Sequence, residues 1–183
     1  MRLGEDSALE LDEIDLRILG ILQDDCRASL ARIGEAVSLS APSVLERVKK
    51  LEAARVIQGY HAQLDARLVG LDVTAFIGVS TSRPEIIERI EQQIGDLDEV
   101  LECHHVTGEH TLLLKVKTAN TSTLERLITR VRSLDGVART ETVVVLSTHT
   151  ERSQVELYPT VPPAGGKRVR RGPERNGNGR RGT

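Results

Sequence analysis

The hydrophobic period changes once along this chain, and the change limits what it can fold into. Between Leu11 and Ala54, apolar residues recur at three- and four-residue steps. From Val73 onward they alternate within short runs that are separated by helical stretches. The first pattern is that of packed helices and the second that of strands interleaved with helices. In the helical part, Leu11, Ile14, Ile18 and Ile21 form one stripe, widened by Leu22, with Asp12 as N-cap. Asp24 to Arg27 breaks it. Ser29 caps a second helix carrying Leu30, Ile33, Gly34 and Val37, and Ser38-Leu39-Ser40 is a tight break. A third helix starts at Ser40 with Pro42 in its first turn, where a missing N–H costs little. Val44, Val48 and Leu51 are its buried stripe, and it ends near Ala54. Two short helices around a three-residue turn have the spacing of a helix-turn-helix.

The other face of the third helix carries Ser40, Ala41, Ser43, Arg47 and Lys50. Short side chains lead and cations follow. A helix that enters a DNA major groove uses that order: its N-terminal end approaches base edges, and Arg or Lys reaches guanine or phosphate. These five are the candidate DNA-contacting residues.

Val56 to Leu64 reads as a linker strand. Beyond it, Val73–Ser80, Val100–Val106, Thr111–Thr118 and Val137–Leu146 read as strands. Pro84 to Ile94 reads as a helix, and so does a segment capped by Thr121 or Ser122. The order β-α-β-β-α-β is the ferredoxin-like signature. Leu112, Leu113 and Leu114 in succession place leucine on both faces of one strand, so the sheet face away from the helices is expected to be covered by a second copy of the chain. The fold class is therefore α+β, with a three-helix, winged-type helix-turn-helix before a ferredoxin-like βαββαβ domain. The domain plan is an acidic arm over 1–10, the helix-turn-helix over 11–55, a linker strand and hinge over 56–70, the ferredoxin-like domain over 71–160 and a basic tail over 161–183.

Charge is local rather than global. The net charge is −2, yet residues from 162 onward hold seven Lys and Arg against Glu174 alone, and 26–60 carries six basic and three acidic groups. Local basic patches matter more for polyanions than the total does. The tail, rich in Gly, Pro, Arg and Asn, cannot bury apolar surface and reads as disordered. It serves either as a solubilising extension or as a salt-sensitive, nonspecific nucleic-acid arm. No run approaches the roughly 20 apolar residues of a membrane helix, so no membrane partner is expected. The acidic N-terminus lacks the order of a signal peptide, and two cysteines are too few for a disulfide framework, which together read as cytoplasmic. With one Phe, two Tyr and no Trp, stacking of single-stranded bases is disfavoured.

The order and spacing of several short motifs resemble the Lrp/AsnC (feast/famine) transcription regulators. They include Leu11-Asp12-x-x-Asp15, Asp25-x-Arg27, Leu39-Ser40, Arg47-Val48-x-x-Leu51-Glu52 and Val56-Ile57-x-Gly59-Tyr60. Glu102-Cys103, Thr107-Gly108, Leu112-Leu113-Leu114-Lys115-Val116 and Gly136-Val137 continue the series. The resemblance covers residues 11 to about 150. It implies a regulator that binds double-stranded DNA and whose binding a small effector, an amino acid, modulates. It further implies homodimers that assemble into octamers or similar rings, with the effector held between dimers. The effector region it implies is Thr107, Gly108, Glu109, His110 and Thr111, with Thr140 and Thr142 from the last strand. An acidic residue common in the family where Thr111 stands is missing, and Glu109 is the nearest substitute. Cys26 and Ser38 stand where glycine is usual.

Two other functions fit parts of the pattern. One is an effector-independent, architectural protein of the nucleoid, toward which the basic tail and the missing acid lean. The other is a tetrapyrrole-modifying enzyme on the same scaffold, which would need an aromatic-rich pocket that three aromatic residues cannot build. No nucleophile elbow, phosphate-binding glycine loop or His-Glu-x-x-His occurs, so no catalytic residue and no enzyme activity are expected. Cys103, His104, His105 and His110 invite a metal reading, but strand alternation brings only two of them to one face, and neither a metal nor another cofactor is expected.

Overall fold

The computed structural model describes residues 10–158; the expected basic tail and, Glu10 apart, the acidic arm lie outside the described residues. The chain divides into two compact units. One runs to His61 and resumes at Ser153, and the other is Ala62–Arg152.

The first unit holds α1 (Glu13–Asp24), α2 (Leu30–Val37) and α3 (Ala41–Ala53). Each helix starts at a side-chain cap. Asp12 and Asp15 form a reciprocal box at α1, in which the Asp15 N–H donates to Asp12 at 2.8 Å and the Asp12 N–H to Asp15 at 3.2 Å. Ser29 accepts the Arg32 N–H at 3.2 Å, and Ser40 accepts the Ser43 N–H at 3.3 Å. These bonds satisfy amides that a helix leaves without an internal partner. Ile18, Ile33, Val37, Val44 and Val48 form the core between the helices. Full burial of side chains of this kind contributes roughly 1.5–3 kcal/mol each.

The expected linker strand over Val56–Leu64 does not form: no strand lies between α3 and the sheet among the described residues. The reason is local. The Val56 and Ile57 amides fold back onto the Leu51 carbonyl at 2.9 and 3.2 Å, so they close the end of α3 instead of joining a ladder. Arg55 supplies the left-handed residue that this reversal needs.

The second unit is a four-stranded antiparallel sheet with two helices. In chain order it runs β1 (Val73–Thr81), a 3-10 turn over Pro84–Ile86, α4 (Ile87–Gly95), β2 (Val100–His105), β3 (Leu112–Thr118), α5 (Thr121–Arg132) and β4 (Val137–Val144). The spatial order is β2-β3-β1-β4. This is the ferredoxin-like arrangement. Ala75, Ile77 and Val79 of β1 and Leu112, Leu114 and Val116 of β3 pack with Ile90, Ile94, Leu124, Leu127 and Val131 of the helices. Alternation therefore fixes which strand residues meet the helices. The cap of α5 is Asn120 rather than Thr121 or Ser122. Its side chain accepts the Thr123 N–H, and its N–H donates to the Thr123 hydroxyl, both at 3.0 Å. Threonine and asparagine exchange the two bonds that a Ser/Glu box would make.

The opposite sheet face carries Phe76, Leu113 and Val143 among charged residues. Lys115 donates to Glu102 at 3.0 Å and also pairs with Glu151, which Lys117 meets at 3.5 Å. These carboxylates hold the Lys115 ammonium above its ordinary pKa, Glu151 being the larger influence. No helix among the described residues is long and apolar enough to cross a membrane.

Candidate DNA-binding face and effector turn

The five residues expected on the DNA-contacting face of α3 do not share one role. The Ser40 and Ser43 hydroxyls lie 2.8 Å apart and hydrogen-bond to each other. Ser40 also caps the helix. Ala41 is half-buried, and Lys50 is exposed. Arg47 turns toward α1 and pairs with Asp12 at 2.8 Å and with Asp15 at 2.7 Å. The Asp15 N–H, foremost, and the Arg47 guanidinium hold the Asp12 carboxyl below its usual range. Asp12 and Asp15 in turn raise Arg47. Arg47, expected to reach guanine or phosphate, is here engaged by two carboxylates of the first helix. Its spacing from Val44 and Val48 puts it at the edge of the buried stripe, within reach of the α1 N-terminus. Lys49, which the pattern reading passed over, is exposed next to Lys50. A run of two lysines after Arg47-Val48 was the available signal.

The turn between β2 and β3 carries five of the expected effector residues. Gly108 has a φ of +119°, a conformation open to glycine but strained for other residues. The Thr111 N–H donates to the Val79 carbonyl at 2.8 Å, and the Thr111 hydroxyl accepts the Thr81 N–H at 3.3 Å. These bonds tie the turn to the end of β1. His110 lies across Gly78, where a Cβ would come within 2.4 Å of the imidazole Cδ2. The His110 Nδ1 is 3.3 Å from the Ser80 hydroxyl, and its Nε2 is 3.8 Å from Glu141. Arg139 donates to Glu109 at 3.3 Å and to Glu141 at 3.1 Å. Gly78, Ser80, His110, Arg139, Glu109 and Glu141 thus make one polar corner.

Thr140 and Thr142 do not belong to that corner. Thr140 pairs with Val79 and Thr142 with Ile77, both core residues, so their side chains take the helix side of β4. Arg139 and Glu141, opposite Ser80 and Gly78, take the other side. Within one chain Thr140 and Thr142 therefore take the opposite side of the sheet from His110. Arg139, Glu141 and Ser80 were missed; the alternation of β4 was the signal that could have found two of them.

The histidine and cysteine run is likewise dispersed. His104 Nε2 lies 3.1 Å from Glu102, and His105 Nδ1 lies 4.0 Å from Glu91. Burial pushes the half-buried Cys103 thiol above its ordinary pKa. Among the described residues one group, Glu109, His110 and Glu141, gathers potential ligand atoms within 4.8 Å. Arg139 occupies both of its carboxylates, which makes it an ion-pair network.

At the far end of β1 a cavity of about 580 Å³ opens between residues 63–72 and 145–151. Thr74, Lys117, Glu151, Asp65, Arg67 and Asp72 are among the residues that line it. Thr74 pairs with Lys117 at the start of β1, whereas Thr111 reaches Val79 near its end. The cavity is therefore separate from the expected effector turn.

Comparison with known proteins agrees with this architecture. Residues 74–155 match the Lrp/AsnC ligand binding domain, and residues 11–52 match the AsnC-type helix-turn-helix domain. An uncharacterized HTH-type transcriptional regulator of Pyrococcus abyssi is 36% identical over 146 residues, covering 80% of this chain and 99% of its own. The leucine-responsive regulatory protein of Klebsiella pneumoniae is 36% identical over 141 residues, covering 75% and 85%. Among solved structures, a transcriptional regulator of Neisseria meningitidis in complex with L-Met superposes with a TM-score of 0.75 at 28% identity, over 80% of this chain and 96% of that one.

Proposed function

The chain belongs to the Lrp/AsnC family of DNA-binding transcriptional regulators, and from that premise we propose that it is a sequence-specific regulator whose DNA affinity an amino acid sets. The observation that carries this reading is the joining of two units in one chain. A capped helix-turn-helix with Lys49 and Lys50 exposed on α3 is followed by a ligand-binding domain whose β2–β3 turn is held to β1 by hydrogen bonds.

In this reading the N-terminal end of α3, with Ser40, Ala41 and Ser43, approaches base edges. Lys50 and Lys49 meet phosphate, and Arg47 positions α3 through Asp12 and Asp15. The apolar centre of the open sheet face, Phe76, Leu113 and Val143, is covered by a second copy. Dimers then present two recognition helices to a roughly palindromic site. The effector is an amino acid held where dimers meet, in octamers or similar rings. Thr107 to Thr111 of one chain and the Thr140–Thr142 side of another would complete a site that one chain divides between two faces. Glu109 is the candidate partner of the ligand ammonium and Gly108 admits the ligand carboxylate to backbone amides. A ligand that favours one assembly changes DNA affinity only by its differential affinity for the two assemblies. The relative solved with L-Met and the relative named for leucine support an amino acid as the effector class.

The test is a mobility-shift titration on the DNA upstream of the protein's own gene, at fixed salt, with excess competitor duplex and a panel of amino acids. A specific shift that one amino acid alters is the expected result. A specific shift that none alters removes the effector and leaves an architectural protein. No shift beyond competitor refutes the regulator.

A further inference from the structure

His110 is held with one ring nitrogen aimed at a carboxylate, and the way it is held decides what that nitrogen can do. Gly78 has no Cβ, so the imidazole lies across the β1 backbone. The Ser80 hydroxyl donates to the Glu109 carbonyl at 3.3 Å, which leaves its oxygen to accept from the His110 Nδ1, also at 3.3 Å. This relay from Nδ1–H to hydroxyl to carbonyl places the single ring proton of a neutral imidazole on Nδ1 and the lone pair on Nε2. Nε2 makes no hydrogen bond among the described residues and faces the Glu141 carboxylate at 3.8 Å. A lone pair opposite a carboxylate sets two acceptors against each other, an arrangement that a cation between them turns from repulsive to favourable.

Glu109 belongs to the same group. One ligand atom from each of Glu109, His110 and Glu141 lies within 4.8 Å of the other two. Zinc holds nitrogen and oxygen ligands at about 2.0–2.2 Å, so ligand atoms on one ion lie ~3–4 Å apart. The Glu109 and Glu141 side chains are 69% and 46% exposed, and that of His110 is 21% exposed. The ring is therefore the fixed member, and the two carboxylates have the freedom to close the difference. An imidazole beside carboxylates suits zinc and other first-row divalent ions better than Mg²⁺ or Ca²⁺. A ligating histidine donates its other ring N–H to an orienting partner, the part that Ser80 takes here. Arg139 supplies positive charge to both carboxylates, at 3.3 Å from Glu109 and 3.1 Å from Glu141, but its donors do not reach Nε2. Pairs between exposed side chains are weak, so the guanidinium is a displaceable competitor. We propose that Glu109, His110 and Glu141 form a binding site for a first-row divalent cation, with Ser80 orienting the ring and Arg139 competing with the metal. A cation there ties the β2–β3 turn to β4. Of the histidine and cysteine run in the sequence the site uses His110 alone. It lies wholly in the second unit and stands independently of the DNA-binding reading.

Isothermal titration calorimetry of the full-length, reduced chain with ZnCl2 in a non-chelating buffer tests this. One saturable site per chain is expected. His110→Gln is expected to abolish it, and Ser80→Ala, which releases the ring, to weaken it ~10–100-fold. Arg139→Gln is expected to bind zinc several-fold more tightly. Damage to the fold lowers affinity, so this gain cannot come from a structural defect. His104→Gln combined with His105→Gln is expected to leave the titration unchanged, and in NMR spectra the His110 ring signals should shift on addition of one equivalent of zinc. Absence of a saturable site in both the native chain and Arg139→Gln overturns the proposal. So does zinc binding that survives His110→Gln, that Arg139→Gln weakens, or that disappears with His104 and His105.

Discussion

The Arg47 guanidinium lies 2.7 Å from the carboxylate of Asp15, a residue whose side chain is 12% exposed. A cation of the third helix is thereby committed to the first, and the angle between the two helices has a charged peg as well as an apolar core. Arg47→Ala leaves Asp15 poorly solvated and without its partner. Hydrogen bonds to charged groups contribute about 1.5–3 kcal/mol, so a stability loss of about 1–2 kcal/mol is expected, given partial exposure. Chemical denaturation measures the loss. DNA affinity would fall equally on matched and mismatched sites; a loss confined to one base pair would return Arg47 to direct base reading.

Ser38 ends α2 with a φ of +58°, in the left-handed region. A side chain there costs energy that glycine avoids, and position 38 opens the turn before α3. Ser38→Gly is expected to stabilise the first unit by about 0.5–1 kcal/mol. Thermal unfolding of the two proteins side by side decides it, and a lower midpoint for the glycine variant would contradict the account.

Gly78 sits beneath the His110 ring. Gly78→Ala forces the imidazole away and breaks its contact with the Ser80 hydroxyl. Overpacking of this kind costs typically about 1–3 kcal/mol. NMR gives the separate readout: the chemical shifts of the His110 ring should move in the alanine variant, while those of His104 and His105 stay put. An unmoved His110 would mean that the ring is not held there.

Tyr60 donates to Glu52 at 2.9 Å. Burial, and then the hydrogen bond to that carboxylate, push its phenol up to about 12 from 10.0. A raised pKa favours the protonated form in the folded chain. The stability it contributes is therefore complete below about pH 10 and is lost as pH rises toward 12. Absorbance titration at the phenolate band, in a Tyr158→Phe background so that Tyr60 reports alone, should give a midpoint near 12. A midpoint near 10 would sink the contact.

The order of elements was legible because each signal was local. Asp12, Ser29 and Ser40 cap the helices that their spacing announced, and the alternation of Val73–Val79 puts Ala75, Ile77 and Val79 in the core. The misses share another cause. Val56 and Ile57 have strand-forming side chains, but their amides were claimed by Leu51, a bond that no propensity records. The ion pairs of Arg47 were not legible either, because its partners lie on another helix. In the same way, the corner of His110, Arg139 and Glu141 joins a turn to a strand and depends on a glycine of a third segment. Such tertiary partners are set by register, which sequence periodicity constrains only to a choice of face.

The return of Val155 to α1, where the Gln23 side chain meets its N–H at 2.8 Å and its carbonyl at 3.1 Å, also bears on the order in which the chain is made. Synthesis runs from the N-terminus, and domains fold as units as they emerge. The helix-turn-helix appears first, yet the end of α1 stays open while the whole sheet unit is translated, because its closing residues come after β4. The DNA-binding unit is therefore finished last although it is begun first, and a nascent chain acquires its complete form only once the ligand-binding domain has left the ribosome.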